Sequence, residues 1–288
     1  MEHFRKYLPY ILAISIALIL AIGLWYILIF SHRPHYLKVA FLDIGQGDSI
    51  YIEAPNGKQM LIDGGPDATV LTRLAKVMPF ADRSIDVVLA THADADHIAG
   101  LSDVIDHYKV SDIIENGISG TTQTFQTLQT EIQKHNIKKL IARRGMRVVL
   151  DPKAGVYFDI LFPDRDMSNA TSNDGSIVGK LTYGKESFML TGDATKLSEL
   201  LIMQHGNIQS LHVQVLKLGH HGSKTASSEP WLQAVHPDVA IISAGLHNRY
   251  GLPSQDILDR LASLHIPYLA TYKQGTIIYK TDGLSLWH

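Results

Sequence analysis

The sequence has no cysteine among its 288 residues. Disulfide bonds and zinc–thiolate sites are therefore excluded, and any metal ligand must come from imidazole or carboxylate groups. An excess of charge of one sign is also missing, because 26 Lys and Arg residues face 28 Asp and Glu residues for a net charge of −2. Nothing in the overall composition therefore indicates an extended nucleic-acid-binding surface.

Charged residues are also missing from a long apolar run near the N-terminus, residues 8–30. At about 1.5 Å per residue, this run is long enough to cross a bilayer core of roughly 30 Å. We expect residues 1–36 to form an uncleaved transmembrane anchor and a short linker. A cleaved signal peptide is the alternative, but the run is long for one and no Ala-x-Ala site follows it.

The remainder, residues 37–288, reads as one domain. Short runs rich in β-forming residues predict strands, and the order is strands, helices, strands, helices in two halves. This order is typical of an α/β fold in which two packed sheets carry helices outside, a four-layer αββα sandwich. Polar residues follow several of the predicted strands directly: Asp63, residues 92–97, Asp193, His220 and His221. Loops at strand ends are where rigid scaffolds carry functional groups.

Residues 91–97 (THADADH) are the most informative of these stretches, because they offer four metal-ligand side chains after one apolar run. The four are His92, Asp94, Asp96 and His97. A dinuclear hydrolytic site holds two cations about 3.5–4 Å apart. His92 and Asp94 suit one cation, and Asp96 and His97 suit the other. Asp193 can bridge both, since a carboxylate has two oxygens, and His220 or His221 can complete the set.

The pattern Thr-His-x-Asp-x-Asp-His-x-x-Gly at residues 91–100 resembles the signature of the metallo-β-lactamase superfamily. Further matches are Asp63-Gly64-Gly65, Thr191-Gly192-Asp193 and His220. Asp94 stands where most members have histidine. This exchange, together with residues 41–49, 216–223 and 248–251, resembles the C-terminal hydrolase domain of the competence protein ComEC. The resemblance runs from about Lys38 to the C-terminus and implies a hydrolase that uses two divalent metal ions.

The sequence departs from this pattern in two places. Residues 172–176 contain no histidine, although most superfamily members supply one to the first metal there. Asn173 or Asp174 substitutes for it, or the first site is only partly occupied. Leu252-Pro253 replaces the His-Pro that ComEC-like domains commonly carry, so a substrate contact or proton donor could be missing. The carboxylate of Asp94 is a harder ligand than imidazole, so we expect Mn²⁺ first and Zn²⁺ second.

Several roles stay open at this stage. Asp63 either touches metal or orients a ligand histidine from behind, and we favour the second. Of the two adjacent histidines, we favour His220 as the ligand because it is nearer the strand end. Lys217 and residues 223–225 either contact a phosphoryl group or form a solvated turn. We take Asp96, Asp193, Asn248 and Tyr250 as the candidate catalytic residues, the last two as hydrogen-bond donors to a transition-state oxyanion.

Three functions compete. The first is a metal-dependent phosphodiesterase, most plausibly a nuclease on single- or double-stranded DNA, with Arg143, Arg144 and Arg147 as the one local basic cluster. The second keeps the chemistry and acts on teichoic-acid phosphodiesters, phosphocholine, or a lactone or amide outside the cell. The third is a decayed site that serves for binding in a membrane complex. No nucleotide cofactor is expected.

The ComEC resemblance and the placement of Arg5 and Lys6 before the apolar run favour a single-pass protein of the cell membrane. Positive residues are retained on the cytoplasmic side, which leaves the catalytic domain outside. We expect a DNA-uptake role to require a separate membrane channel protein as a partner.

Overall fold

Two β-sheets packed face to face occupy the centre of the molecule. The structure, a computed structural model, describes residues 2–31, 36–205 and 208–288 and, within the first helix, the side chains of residues 6–26. The predicted linker at residues 32–35 lies outside the described residues. One sheet has eight strands and the other has seven.

The strands in chain order are β1 (Leu37–Phe41), β2 (Ile50–Glu53), β3 (Gln59–Ile62), β4 (Ser84–Ala90), β5 (Lys109–Glu115), β6 (Lys138–Ile141), β7 (Arg147–Asp151), β8 (Val156–Phe162), β9 (Val178–Tyr183), β10 (Glu186–Leu190), β11 (Val215–Lys217), β12 (Val239–Ile242), β13 (Tyr268–Ala270), β14 (Ile277–Thr281) and β15 (Leu286–Trp287). The eight-stranded sheet has the order β15-β14-β1-β2-β3-β4-β5-β6, and the seven-stranded sheet has the order β13-β12-β11-β10-β9-β8-β7.

The helices are α1 (Glu2–Ser31), α2 (Thr69–Val77), α3 (Ala95–His107), α4 (Gln123–Lys134), α5 (Lys196–His205), α6 (Glu229–Val235), α7 (Gln255–Ser263) and α8 (Thr271–Gln274). Three short 3-10 segments cover Asn173–Gly175, Ile208–Leu211 and Gly219–Gly222.

Three apolar clusters define the layers. The central cluster lies between the sheets and includes Phe41, Phe158 and Phe188. A second cluster joins the eight-stranded sheet to α2, α3 and α4, and a third joins the seven-stranded sheet to α5, α6 and α7. Burial of each large apolar side chain contributes about 1.5–3 kcal/mol, so these clusters hold the layers together. The predicted αββα sandwich is confirmed.

The start of α3 differs from the sequence-based expectation. The sequence predicts a helix from Ile98 to His107, but α3 begins at Ala95, directly after the extended Asp94 (φ −78°, ψ 145°). Asp96 and His97 therefore lie in the first helical turn, not in a loop. A helical turn points neighbouring side chains in fixed, different directions, so the two residues gain a defined orientation.

Helix α1 agrees with the predicted apolar segment. Its stretch Lys6–Tyr26 has a mean hydropathy of 2.3, and none of that stretch is buried. By length and composition it is a candidate membrane span, although a signal sequence near an N-terminus has the same properties.

The C-terminal ends of several strands meet at one edge of the molecule. Strands β3, β4 and β5 are parallel to one another, as are β10, β11 and β12. Strand β1 runs in the same direction as β3, because β2 is antiparallel to both. The loops that follow β1, β3, β4, β10, β11 and β12 therefore open at the edges where the two sheets can contribute side chains to one site.

The close packing of neighbouring strands in the seven-stranded sheet gives a test of the fold. A Cβ atom added to Gly179 on β9 would overlap the ring of Phe158 on β8. We expect Gly179→Ala to lower the free energy of unfolding by about 1–3 kcal/mol, as overpacking of a core does. Chemical denaturation measures this change. Phe158→Leu in the same background should restore part of the loss, whereas simple additivity of the two substitutions would contradict the contact.

Candidate metal centre

Loops from both sheets bring the predicted ligands to one place. The eight-stranded sheet contributes Asp63 after β3 and residues 91–97 after β4, and the seven-stranded sheet contributes Asp193 after β10 and the histidine pair after β11. His92, His97, Asp193 and His221 are buried, whereas Asp94 and Asp96 are partly exposed. The rings of His92 and His97 lie 4.1 Å apart between centroids.

Asp63 fixes the orientation of His97. Its Oδ2 atom lies 2.8 Å from His97 Nδ1 and accepts a hydrogen bond from Thr91 Oγ1 at 2.7 Å, while its Oδ1 accepts from the Thr91 backbone N–H. Both oxygens of this fully buried carboxylate therefore make hydrogen bonds on the side of the imidazole that faces away from the site. This arrangement is typical of a carboxylate that holds a ligand histidine from its far side.

Hydrogen bonds also determine which nitrogen of the other buried histidines points into the site. Thr91 Oγ1 donates its hydrogen to Asp63, so it accepts from His92 Nδ1, 3.0 Å away. His221 Nδ1 lies 2.9 Å from the Ser243 carbonyl oxygen and therefore donates to it. With Nδ1 used in this way by all three histidines, their Nε2 atoms are left to face the interior of the site.

The first group of donors, which we call the inner group, consists of Asp96, His97, Asp193 and His221. His221 Nε2 lies 3.3 Å from Asp96 Oδ2 and 3.4 Å from Asp193 Oδ2. His97 Nε2 lies 3.2 Å from Asp193 Oδ1 and 3.3 Å from His221 Nε2.

The second group of donors, which we call the outer group, consists of His92, Asp94, Asp193 and His220. His92 Nε2 lies 3.6 Å from Asp94 Oδ2 and 4.0 Å from Asp193 Oδ2. His220 Nε2 lies 3.7 Å from Asp193 Oδ2, and the His220 side chain is 29% exposed. Asp193 is thus common to both groups.

The two adjacent histidines reach different groups because of their backbone. His220 (φ 50°) and His221 (φ 55°) both adopt the left-handed conformation. Non-glycine residues adopt it at a cost of about 1–3 kcal/mol each, and it persists where the surrounding structure imposes it. The result is that two consecutive rings, 6.1 Å apart at 73°, both face Asp193. The sequence-based preference for His220 alone did not foresee this division.

Of the two residues suggested for the missing histidine, Asn173 is the one that faces the site. Its Nδ2 atom lies 3.4 Å from His220 Nδ1. The Asp174 carboxylate accepts hydrogen bonds from Thr171 Oγ1 and Thr195 Oγ1 instead, which ties it to its own loop and to the start of α5.

Carboxylates determine the charge state of the buried histidines. Burial alone would lower the pKa of His221, but Asp193 and Asp48 outweigh it and raise the pKa to about 9. The pKa of His97 is likewise raised well above its ordinary value against the effect of burial, here by Asp193 and Asp63. The neighbouring His92 lowers the pKa of Asp94 to about 2. A field that favours imidazolium also favours a divalent cation, whose binding displaces the protons.

The donors fit divalent metal ions. Two Nε2 atoms and the oxygens of two carboxylates face the same space in the inner group, and His92 Nε2 makes no hydrogen bond within the described residues. Nitrogen and oxygen donors without sulfur suit Mn²⁺ and Zn²⁺. A second cluster of donors, Asp106, Glu131 and His135, lies on the surface, where Lys134 already contacts Asp106 and Glu131.

A cavity of about 320 Å³ opens onto the donors. Its lining includes Gln46, Ser223, Tyr250 and Leu252 in addition to ligand side chains. Tyr250 is exposed, and its hydroxyl accepts a hydrogen bond from Arg249 at 2.8 Å. Substrate therefore has access to both groups from one side.

Asn248 shapes the loop beside this cavity. Its side-chain amide donates to the carbonyls of Gly245 and Leu252 at 2.8 and 2.6 Å, and its oxygen accepts from the Leu252 backbone N–H. Both amide hydrogens are used within the loop, so the oxyanion-donor role suggested from the sequence has no free donor here.

Lys217 does not lie where it could contact a phosphoryl group, as the sequence had suggested. Its side chain is fully buried behind the site, where its ammonium contacts the Asp48 carboxylate and donates to the Gly192 carbonyl at 3.0 Å. Of the neighbouring turn, Ser223 lines the cavity and Lys224 is exposed. From the sequence, Asp48 is expected to shape the tight connection near the site together with Gln46 and Gly47. The structure shows in addition that its carboxylate contacts Lys217 and His221.

The basic cluster at residues 143–147 is largely occupied by its own contacts. Arg147 pairs with Asp159 at 2.6 Å and lies over the Tyr157 ring. Arg144 donates to the His205 carbonyl, and Arg143 to the Ala142 carbonyl. These contacts leave less charge for phosphate groups than the sequence indicated.

Comparison with known families agrees with this architecture. The model of the "Metallo-beta-lactamase superfamily" matches residues 42–246. The chain belongs to the metallo-beta-lactamase superfamily. This superfamily is the one that residues 91–100 and the spaced motifs predicted.

Two curated relatives match most of the chain. ComE operon protein 3 of Bacillus subtilis is 31% identical over 84% of this chain, and competence protein ComA of Neisseria gonorrhoeae is 31% identical over 93%. The predicted resemblance to the ComEC branch is thereby confirmed. The chain spans only 33% and 38% of these two relatives, so it corresponds to a part of each.

A solved structure shares the fold. CmlA, a diiron β-hydroxylase from Streptomyces venezuelae, is 11% identical, with a TM-score of 0.56 over 86% of this chain and 55% of its own. At such low identity the likeness concerns the fold alone. The reaction must therefore be inferred from the site.

The two donor groups predict separable effects on metal binding. His221→Ala should weaken binding of the ion in the inner group. The loss should exceed the roughly 10–100-fold that is typical when a residue that supports a metal ligand from behind is removed. His220→Ala should weaken binding of the ion in the outer group and leave the affinity for the ion in the inner group unchanged. Calorimetric titration of EDTA-stripped full-length protein with Mn²⁺ measures both, with the exposed His107→Ala as control. Identical losses in the two histidine variants would contradict the division into groups.

Proposed function

We propose that the protein is a metal-dependent hydrolase that holds two divalent cations, Mn²⁺ or Zn²⁺, and cleaves phosphodiester bonds, with DNA as the preferred substrate. The observation that carries this proposal is the position of Asp193 between two donor groups that open onto one cavity. A carboxylate shared between two sets of N/O ligands is the arrangement that dinuclear hydrolytic sites need.

The inner group would hold one cation and the outer group the other, with Asp193 contributing an oxygen to each. Bound divalent cations supply the Lewis acidity that lowers the pKa of a nucleophilic water and offsets negative charge on a phosphoryl group. Asp96 borders the cavity and belongs to the inner group, so it is close to any water that enters.

The surrounding residues orient these donors and the substrate. Asp63 and the Ser243 carbonyl fix the rings of His97 and His221, so that their Nε2 atoms stay directed inward. Tyr250 accepts from Arg249, which leaves its own hydroxyl hydrogen for a substrate oxygen. Arg249 is exposed beside the cavity and places a positive charge where a phosphate group would enter.

DNA is favoured as the substrate by two relatives, of which one is named a competence protein and the other, from Haemophilus influenzae, a recombination protein. Charge argues for a small contact area: the net charge is −2 and the basic cluster at residues 143–147 is largely paired. We therefore propose that the protein contacts a few phosphates at the cavity and does not bind a long DNA segment.

Nuclease activity is tested with full-length protein in detergent, stripped with EDTA and reloaded with Mn²⁺ or Zn²⁺. End-labelled single- and double-stranded DNA should be cleaved, and Asp193→Asn should reduce the rate by more than about 100-fold because the shared side chain loses one of its two oxygen ligands and its negative charge. Asp112→Asn, a partly exposed carboxylate in the middle of β5, is the matched control and should retain activity.

A small chromogenic phosphodiester, assayed in parallel, separates the alternatives. Hydrolysis of this compound by a preparation that leaves DNA intact would exclude DNA and favour a wall-polymer or other small phosphodiester. Failure to hydrolyse either substrate with metal bound would contradict the enzyme proposal and favour a binding module.

We further propose that α1 anchors the protein in the cell membrane with the catalytic domain outside the cytoplasm, beside a separate channel protein. Arg5 and Lys6 before the apolar stretch support this orientation. Alkaline phosphatase fused to the C-terminus, which is active only outside the cytoplasm, should be active. An inactive phosphatase together with a fluorescent C-terminal green fluorescent protein fusion would reverse the orientation.

A further inference from the structure

A lysine is completely buried behind the candidate metal centre. Lys217 ends strand β11, and its side chain has no exposed surface. Its ammonium contacts the Asp48 carboxylate, donates to the Gly192 carbonyl at 3.0 Å and lies 3.9 Å from Asp193 Oδ1. Removing an ammonium group from water is unfavourable unless such contacts compensate for it. The position of this cation is therefore determined by three oxygen-bearing groups.

The Asp48 carboxylate lies behind the ligands. Its Oδ1 atom is 3.4 Å from His221 Nδ1, and its Oδ2 atom is 3.9 Å from His97 Nδ1. Both contacts are on the Nδ1 side of the rings, opposite the Nε2 atoms that face the inner group. Asp48 nevertheless lies close enough to His97, Asp193 and His221 to be counted as a donor with them. Its position on the Nδ1 side of the rings and its contact with Lys217 distinguish it from a further ligand.

The ion pair also connects the loops that carry the ligands. The backbone N–H of Asp48 donates to the Asp96 carbonyl, and Gly47 (φ 129°) allows this approach because a Cβ there would overlap the same carbonyl. The Gly192 carbonyl, which accepts from Lys217, also accepts from the His220 backbone N–H. The pair therefore lies where the loops of Asp96, Asp193 and His220 meet.

The ion pair of Asp48 and Lys217 also contributes to the charge balance of the site. Five carboxylates converge on the site: Asp48, Asp63, Asp94, Asp96 and Asp193. Their total negative charge equals the positive charge of two divalent cations together with one ammonium group. A centre without Lys217 would hold an unbalanced carboxylate in a buried place, which is unfavourable.

We propose that Lys217 is a positioning residue for the metal centre: it keeps Asp48 out of the ligand set and Asp193 in place, so that the remaining donors accept two divalent cations. This inference rests on the proposed function in requiring that the donors bind metal. Loss of the ammonium releases Asp48 towards the inner group and removes a fixed contact near Asp193 Oδ1.

The test compares metal binding in paired variants of the full-length protein in detergent. Asp48→Asn/Lys217→Met replaces the ion pair by neutral side chains of similar size, and so avoids a lone buried charge. Lys38→Met/Glu53→Gln is the matched control, because Lys38 and Glu53 form another largely buried pair (2.5 Å) in which the lysine also donates to a carbonyl, that of Val77. Equilibrium dialysis against Mn²⁺ gives the number of bound ions and their dissociation constants. Thermal unfolding in EDTA reports folding without metal.

We expect the neutral double variant to unfold cooperatively in EDTA and to bind at least one Mn²⁺ more weakly than the unmodified protein by about 10-fold or more. The control pair should bind both ions unchanged. Lys217→Met alone is the second variant, and it removes the ammonium while the Asp48 carboxylate remains. That carboxylate is then free to move towards the inner group, so at least one Mn²⁺ should again bind more weakly.

Unchanged affinities for both ions in the folded double variant, or in folded Lys217→Met, would overturn the inference and leave Lys217 a merely structural residue. These readouts are independent of hydrolysis. An unmodified protein that binds two Mn²⁺ ions but cleaves no phosphodiester would refute the proposed function without affecting this comparison. An unmodified protein that binds no Mn²⁺ would overturn both.

Discussion

Burial of the Asp193 carboxylate among imidazole nitrogens is the constraint around which the site is built. Its backbone N–H donates a hydrogen bond to Ser176 Oγ at 3.0 Å, and the preceding Gly192 (φ 48°) lies so close to Ser176 and Thr91 that no side chain fits. A buried carboxylate is unfavourable without compensating charge. The neighbouring imidazoles and the Lys217 ammonium supply part of this charge, and divalent cations would supply the remainder.

The site depends on the packing of the two sheets because each sheet contributes only part of it. Asp96 and His97 follow β4 of the eight-stranded sheet, whereas Asp193 and His221 follow β10 and β11 of the seven-stranded sheet. The inner group therefore exists only when the central core holds the sheets in register. The left-handed backbone of His220 and His221 adds a local cost that this packing must offset.

Much of the fold and many of the site residues could be predicted from the sequence, because polar residues that directly follow apolar runs mark the strand ends. That pattern identified Asp63, residues 92–97 and Asp193 as neighbours before any coordinates. Other features depend on backbone geometry that composition does not reveal. The division of His220 and His221 between two groups follows from two consecutive positive φ angles, which are uncommon for residues other than glycine. The burial of Lys217 depends on its contact with Asp48, which is far away in the sequence. Asn248 is used by its own loop because the loop is tight enough for its side chain to reach the Gly245 carbonyl.

The most direct test of this account is anomalous diffraction from crystals of the full-length protein grown with Mn²⁺. The account predicts two anomalous peaks about 3.5–4 Å apart on either side of the Asp193 carboxylate. One should be ligated by Asp96, His97 and His221, and the other by His92, Asp94 and His220. A single peak coordinated by Asp48, or no peak near Asp193, would contradict the central claim.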